Sequence, residues 1–324
     1  MKKILITGAG GFIGSHLTEL CVKEGFQVKA FVHYNAFNRA GWLEYSDYKN
    51  DIEIVSGDIR DYDSVYSALK GCEAVFHLAA LIGIPYSFVS PLAYIRTNVE
   101  GTYNILQAGR ELGIKEILVT STSETYGTAQ YVPIDEKHPT VGQSPYAATK
   151  AAADQIAISF HRSFNMPIKV VRPFNTYGPR QSARAIIPTI ITQVLAGKKE
   201  IYLGNTRPTR DFTYVEDTVK GMLAIAESKK LYGQAINIGT NTEISIAELA
   251  QLIFDLTGKN VKIVSDKKRL RPGKSEVERL VCDNSKILSG TSWRPKVSFK
   301  DGLKKTIGFI KDHLHFYKTE VYNV

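Results

Sequence analysis

The chain has 324 residues with a formal net charge of +9, and 44% of the residues are hydrophobic and 23% charged. These values are ordinary for a globular protein with a sizeable core. Lys and Arg are spread along the chain rather than clustered, which favours an anionic small molecule as ligand and speaks against nucleic acid. No stretch approaches the ~18 apolar residues of a membrane span, and the short run after Met1 ends in glycines instead of a signal-peptide cleavage site. We therefore expect a cytoplasmic protein with no membrane partner.

The three cysteines, Cys21, Cys72 and Cys282, are far apart, odd in number and without metal-ligand spacing. They are predicted to be buried thiols in a reducing compartment. No metal site is predicted.

Short apolar runs predict six strands in the first half of the chain, at residues 3–7, 28–32, 52–55, 74–78, 116–120 and 168–172. Helix-length segments lie between them, among them 15–23, 98–112 and 146–164. This alternation predicts parallel βαβ units and a Rossmann-type doubly wound α/β fold. Ligands of such sheets bind at the carboxyl ends of the strands. Those ends fall at Gly8, Asp58, Ala79, Ser121 and Pro173.

Beyond about residue 174 the pattern changes. A segment rich in Pro, Arg and Gly spans 172–210, Ser245 and Glu248 form a capping box for a helix that stops at Gly258, and a last helix carries Leu303, Ile307, Ile310 and Leu314. We expect a dinucleotide-binding domain over 1–174, with segments near 211–240 returning to it. Residues 175–324 are expected to form mainly a smaller, mixed α/β domain for the substrate.

Gly8, Gly11 and Gly14 lie directly between the first strand and the first helix. Glycine is needed there because a side chain would keep a pyrophosphate away from the N–H groups of the helix N-terminus. The second strand ends without the carboxylate that usually holds the ribose 2′-hydroxyl of NAD. His33, Asn35 and Arg39 would instead suit a 2′-phosphate, so NADP is slightly preferred over NAD. Asp58 is expected to meet the adenine.

Tyr146 and Lys150 are spaced Y-x-x-x-K at the start of a predicted helix, so both lie on one face. An ammonium beside a phenol lowers the pKa of the phenol, which then takes a hydroxyl proton near neutral pH. The pair is expected to act as an acid–base centre.

Together with His77-Leu78-Ala79-Ala80, the segment 172–179, Arg210-Asp211-Phe212 and Arg271-Pro272-Gly273, these motifs make the chain resemble the extended short-chain dehydrogenase/reductases, the NAD-dependent epimerase/dehydratase family. The resemblance covers nearly the whole chain. It implies a tightly bound, recycled dinucleotide and a homodimer or tetramer. The further cofactor-binding residues that it implies are Phe12, Ile13, Ile59, Leu78, Ala79, Ala80 and Asn98.

The segment Thr122-Ser123-Glu124 decides between subfamilies. It resembles the 4,6-dehydratases, which carry Thr-Asp-Glu or Thr-Ser-Glu, whereas the 4-epimerases carry no acid here. The resemblance implies that Thr122 bonds the sugar O4 and that Glu124 abstracts the C5 proton and protonates the leaving C6 hydroxyl. A 4-epimerase is the alternative enzyme. A regulator without catalysis is a third alternative, which the intact Tyr146 and Lys150 disfavour.

On the substrate side, Arg184, Arg210 and Arg271 lie in segments that resemble the nucleotide-binding loops of the family, and Asn175 matches a position that contacts the diphosphate or the sugar. The segments 31–35, 80–87 and 180–188 resemble N-acetylglucosamine-nucleotide 4,6-dehydratases of bacterial legionaminic-acid pathways. GDP- or UDP-N-acetylglucosamine is therefore the expected substrate, with GDP slightly preferred.

Overall fold

The computed structural model of the chain describes residues 2–270 and 272–319. The strands are β1 (Lys3–Thr7), β2 (Gln27–His33), β3 (Ile52–Gly57), β4 (Ala74–His77), β5 (Glu116–Thr120), β6 (Ile168–Pro173), β7 (Asn175–Tyr177), β8 (Glu200–Leu203), β9 (Thr209–Arg210), β10 (Phe212–Tyr214), β11 (Ala235–Ile238), β12 (Ile244–Ser245), β13 (Lys262–Ser265) and β14 (Arg279–Leu280). The helices are α1 (Phe12–Lys23), α2 (Tyr62–Leu69), α3 (Ile84–Val89), α4 (Pro91–Tyr94), α5 (Gly101–Glu111), α6 (Pro145–Phe164), α7 (Ile186–Leu195), α8 (Val215–Glu227), α9 (Ile246–Thr257), α10 (Ser285–Gly290) and α11 (Phe299–Asp312).

The central sheet has seven parallel strands in the order β11-β6-β5-β4-β1-β2-β3. Its strands are almost entirely buried because helices cover both faces. One face packs against α1 and α8, and the other against α2, α5 and α6. Helices α7, α9 and α11 pack on one another and extend the first of these two cores. This confirms the predicted doubly wound α/β fold.

The strand order reverses beside β1, where β2 lies on one side and β4 on the other. A crevice opens at such a reversal, beyond the carboxyl ends of the strands. The loops that follow β1, β4, β5 and β6 therefore meet at one edge of the sheet.

The second half of the chain forms three small sheets, in which β7 pairs with β10, β8 with β13, and β9 with both β12 and β14. One strand from this half, β11, instead pairs with β6 in the central sheet. The exact division into two domains stays a prediction.

The predicted helix ends were confirmed in some places and wrong in others. The capping box of Ser245 and Glu248 is present, and Gly258 ends α9 in a left-handed conformation, as predicted. Helix α1 begins at Phe12 rather than Ser15, because the glycine loop enters the helix directly. Leu314 was wrongly included in the last helix, since α11 ends at Asp312 and Leu314 begins a separate short turn. No helix in the described part of the chain combines the length and the apolar character needed to cross a bilayer.

Candidate active site

The glycine loop brings backbone against backbone at the end of β1. Gly8 has a φ of +68°, and a Cβ there would lie 2.9 Å from the amide nitrogen of Ala79. A Cβ on Gly14 would lie 2.2 Å from the Gly8 carbonyl oxygen. Helix α1 starts after Gly11 without a side-chain cap, so the first N–H groups, including those of Phe12 and Ile13, are left for an anion. The loop fits the pyrophosphate of a dinucleotide.

A buried histidine fixes the neighbouring strand end. His77 Nδ1 lies 2.8 Å from Thr7 Oγ1, and its Nε2 lies 3.1 Å from Thr102 Oγ1. Burial lowers the pKa of His77 to about 3, so the ring is neutral. Thr7 Oγ1 also accepts hydrogen bonds from the amides of Leu78 and Ala79, both at 3.1 Å. The segment 78–80 is thereby held against the glycine loop.

Asn98 lies in a π-helical turn, Ile95–Glu100, between α4 and α5. Its Oδ1 accepts from the Leu81 amide at 2.8 Å, and its Nδ2 donates to the Leu81 carbonyl at 3.0 Å and to Thr149 Oγ1 at 3.1 Å. The expected contact of Asn98 with the cofactor stays a prediction. Its side chain is fully buried and used within the protein, where it joins the 78–81 segment to α6.

The ends of β2 and β3 carry the residues expected at the adenosine ribose. The hydrogen bond from Arg60 holds the pKa of Asp58 below its usual value, and the exposed His33 also lowers it. Arg39 is exposed, with its guanidinium carbon 5.9 Å from the centre of the Phe37 ring.

Two residues expected at the adenosine have contacts within the chain. Asn35 shapes its own turn, because its Oδ1 accepts from the amide of Arg39 and its Nδ2 donates to the Arg39 carbonyl. Its contact with a phosphate stays a prediction. Ile59 has its side chain in the core, against Gly101, so only its backbone remains for an adenine.

Tyr146 and Lys150 occupy the first two turns of α6, which Ser144 caps by accepting from the Ala147 amide. Both side chains are buried, with 7% of Tyr146 and 3% of Lys150 exposed. Burial lowers the pKa of Lys150 to about 8, against the opposing effect of Asp154.

The expected lowering of the Tyr146 pKa is not found in the protein alone. Burial raises the pKa of Tyr146, a hydrogen bond with Thr122 lowers it, and the Glu124 carboxylate raises it again. Desolvation of the phenolate thus outweighs the ammonium one turn away.

Thr122 and Glu124 come from a single short turn, Ser123–Tyr126, directly after β5. Thr122 caps this turn by accepting from the Glu124 amide at 3.2 Å. Both side chains are partly exposed, whereas Ser123 between them is buried. The structure thus brings Thr122, Glu124 and Tyr146 together.

The arginines expected to bind the substrate lie in different surroundings. Burial raises the pKa of Tyr94 and the Arg184 guanidinium lowers it, so Arg184 lies close to Tyr94. The Tyr94 ring in turn packs edge-on against Tyr146, with 6.3 Å between ring centres. Tyr94 thus lies near both Arg184 and Tyr146.

Arg210 is buried at the end of β9, where it donates to the Thr209 carbonyl and lies 3.8 Å from Glu276. Asn175 begins β7, and its Oδ1 is buried without a hydrogen-bond partner among residues 2–270 and 272–319. A buried oxygen of this kind calls for a donor from a ligand. Arg271 lies outside the described residues.

Residues 5–306 match the family described as GDP-mannose 4,6 dehydratase. The chain belongs to this family. The resemblance to NAD-dependent epimerase/dehydratase enzymes, predicted from the sequence, is confirmed.

Three proteins illustrate the range of reactions among relatives of this family member. It is 34% identical to a UDP-N-acetyl-alpha-D-glucosaminuronate decarboxylase of Bacillus cytotoxicus, over 96% of this chain and 98% of that protein. It is 30% identical to the dTDP-D-glucose 4,6-dehydratase of Homo sapiens, over 98% of this chain and 92% of that protein. It also resembles the crystal structure of a UDP-glucuronic acid 4-epimerase mutant from Bacillus cereus, in complex with a UDP sugar and NAD, with a TM-score of 0.88, 29% identity and coverage of 96% and 99%.

Sequence reasoning missed several side chains that organise the site. Asp154 and Arg172 form a buried ion pair behind Lys150, and Tyr94 packs on Tyr146. Asp154 follows Lys150 by four residues in the predicted helix, so helical spacing was an available signal. Nothing in the sequence pairs Tyr94 with Tyr146, because their contact depends on how α4 crosses α6.

Proposed function

We propose that this protein is a nucleotide-sugar 4,6-dehydratase that converts an NDP-hexose to its 4-keto-6-deoxy derivative. The observation that carries the proposal is the position of the Glu124 carboxylate near the Tyr146 hydroxyl, whose pKa it raises and to which Thr122 is also hydrogen-bonded. A tyrosine is sufficient to start oxidation at C4. A carboxylate beside it adds the base that elimination requires.

The dinucleotide, held by the glycine loop, supplies reversible hydride transfer, from C4 at the start and to C6 at the end, and is not consumed. Tyr146 removes the proton of the C4 hydroxyl while Thr122 orients O4. Lys150, charged and buried, stabilises the Tyr146 phenolate that accepts this proton. These residues carry out the oxidation that dehydratases share with epimerases.

The ketone at C4 makes the C5 proton acidic. Glu124 takes that proton and delivers it to the C6 hydroxyl, so that the C6–O bond breaks, water leaves and a C5–C6 double bond forms. C5 later regains a proton, which balances the proton lost by the C4 hydroxyl. Ser123 is buried, which supports assigning both proton transfers to Glu124.

We infer GDP- or UDP-N-acetylglucosamine as the substrate, with GDP first. This rests on the resemblance of segments 31–35, 80–87 and 180–188 to the dehydratases of legionaminic-acid pathways. Asn175 and Arg210, with Arg271, would hold the diphosphate through charge-assisted hydrogen bonds. The position of Arg184 near Tyr94 supports a contact with the hexose instead.

For the cofactor, we infer a ribose pocket that accepts NADP as well as NAD. No carboxylate follows β2, and His33 and Arg39 are exposed beside this end of the sheet. The Bacillus cereus epimerase structure is a complex with NAD. The affinities of this protein for NAD and for NADP should therefore both be measured by equilibrium binding. Arg39→Gln should weaken NADP about tenfold and leave NAD unchanged. Binding of NAD alone by the parent protein would refute the preference for NADP.

We also propose a homodimer, or a tetramer built from it. Apolar side chains are exposed on the helices beside the site, with Leu92 at 55%, Ile95 at 50% and Phe164 at 47%. Light scattering should give twice or four times the mass of one chain. A monomer at micromolar concentration would exclude this assembly.

The 4-epimerase stays the second candidate, because the chain matches a 4-epimerase over nearly its full length. Incubation with GDP-, UDP- and dTDP-sugars, including N-acetylglucosamine and uronic acid forms, followed by mass measurement separates the reactions. A dehydratase product lacks one water and absorbs in alkali. An epimerase product keeps the substrate mass, and a decarboxylase product lacks carbon dioxide.

A further inference from the structure

Behind the Tyr146–Lys150 pair lies a buried carboxylate that the proposed reaction does not use. Asp154 is fully buried on α6, one helical turn after Lys150 and on the same face. Its Oδ2 accepts from Ser121 Oγ at 2.8 Å and from Arg172 Nε at 3.0 Å and Nη2 at 2.9 Å. Its Oδ1 is buried and accepts no hydrogen bond within the described ranges 2–270 and 272–319. A carboxylate in this position has a strong effect on any charge nearby.

The partners of Asp154 lie where the site is assembled. Ser121 directly precedes Thr122 at the end of β5, and Arg172 lies at the end of β6. Arg172 Nη1 also donates to the Tyr126 hydroxyl at 3.0 Å, in the turn that carries Glu124. One carboxylate therefore ties α6 to the two strand ends beside the reacting groups.

The charged and titratable groups around Lys150 are few. His77 on β4 is neutral, because burial and, to a smaller extent, Lys150 lower its pKa to about 3. Tyr146 lies one turn before Lys150, with Glu124 acting on it from the turn after β5 and Tyr94 packed against it from α4.

Asp154 is the nearby group that stabilises the Lys150 ammonium against burial. Arg172 pairs with the same carboxylate, its Nη2 2.9 Å from Asp154 Oδ2. The carboxylate of this ion pair thus lies one helical turn from the lysine.

We propose that Asp154 is a positioning residue that keeps Lys150 protonated beside Tyr146 while Ser121 and Arg172 hold its carboxylate in place. This role rests on the proposed function only through C4 oxidation, which dehydratases and epimerases share. The titration of Lys150 itself can be measured without any sugar.

The test follows the 13Cε signal of Lys150 through a pH titration in lysine-labelled protein, with Lys150→Met to assign the signal. Asp154→Asn should lower the pKa of Lys150 by about one to three units, because it removes the negative charge and leaves the Arg172 cation. The double variant Asp154→Asn with Arg172→Met should lower it by less. Neutral side chains often replace a buried ion pair without loss of folding. If the single variant does not fold, the Lys150 titration is therefore measured in the double variant.

A matched control lies at the opposite end of the same two strands. Lys169 on β6 pairs with Glu116 on β5 at 2.9 Å, and the lysine side chain is fully buried there too. Glu116→Gln breaks a buried pair without touching the site, so it should leave the Lys150 titration unchanged. The pH at which C4 oxidation levels off, followed by dinucleotide absorbance, should move to lower pH in Asp154→Asn and stay in place in Glu116→Gln.

The proposal is overturned if a folded Asp154 variant, single or double, titrates Lys150 at the parental pH. It is also overturned if Asp154→Asn lowers the oxidation rate equally at every pH. Absence of C4 oxidation in the parent protein would instead refute the proposed function and leave the Lys150 titration to decide on Asp154.

Discussion

Thr122 and Tyr146 are joined by a hydrogen bond although they are 24 residues apart and belong to different elements. The bond connects the turn after β5 to the first turn of α6. It also opposes the effect of burial, because it lowers the pKa of Tyr146. The tyrosine is thus prepared for proton transfer by a residue of the same turn that carries Glu124.

Replacing Thr122 by Val should remove this bond and keep the shape of the side chain. The rate of C4 oxidation should fall about tenfold, since one hydrogen bond contributes about 0.5–1.5 kcal/mol. The fall should appear at every pH below about 8, because the pKa of Tyr146 rises and less phenolate forms. Thr192→Val serves as control, since that buried hydroxyl bonds only within α7. An unchanged rate over this pH range would show that Thr122 does not act on the tyrosine.

The pH profile of C4 oxidation in the parent enzyme should level off above about pH 8. The reaction needs the Tyr146 phenolate and the Lys150 ammonium together. Burial raises the pKa of Tyr146, so the rate rises with pH as more phenolate forms. Burial lowers the pKa of Lys150 to about 8, so above that value each gain in phenolate is offset by loss of the ammonium. Lys150→Arg keeps its charge at all these pH values, so its lower rate should continue to rise above pH 8. A profile of this variant that still levels off near pH 8 would assign the change to another group.

The first part of the site was largely predictable from the sequence. Gly8 and Gly14 require close backbone contact, and that requirement is visible as spacing between a strand and a helix. The surroundings of Tyr146 were not predictable in the same way. The sequence puts Lys150 one turn away and suggests a lowered pKa, but burial of the phenol depends on the packing of α4, where Tyr94 lies.

Side chains with several polar atoms were the hardest to predict. Asn35 and Asn98 occupy positions where a cofactor contact is expected, and both use their amides to hold the chain itself. Residue type and position cannot separate these roles. Only the count of satisfied hydrogen bonds in the structure does.

Gly14→Ala should weaken dinucleotide binding at least tenfold, or about 1.4 kcal/mol. The added Cβ would lie 2.2 Å from the Gly8 carbonyl oxygen and push the loop outward. Gly308→Ala is the control, because a Cβ there meets nothing within 4 Å in α11. Calorimetric titration checks both variants. Equal affinity in Gly14→Ala would mean that the dinucleotide binds elsewhere.

Arg210→Gln should raise KM for the nucleotide sugar by tenfold to a hundredfold while kcat changes little. A hydrogen bond to a charged group contributes about 1.5–3 kcal/mol, and a diphosphate contact acts equally on substrate and transition state. Arg162→Gln, an exposed change in the last turn of α6, should leave KM unchanged. A fall in kcat with constant KM would place Arg210 at the chemistry instead of the diphosphate.

The central claim is tested most directly by Glu124→Gln in a single turnover with the accepted nucleotide sugar. Dinucleotide absorbance reports C4 oxidation, and product mass reports loss of water. The variant should still oxidise C4 but lose elimination by at least about a hundredfold, while Ser123→Ala keeps both steps. Formation of the dehydrated product by Glu124→Gln at near the parental rate would contradict the account.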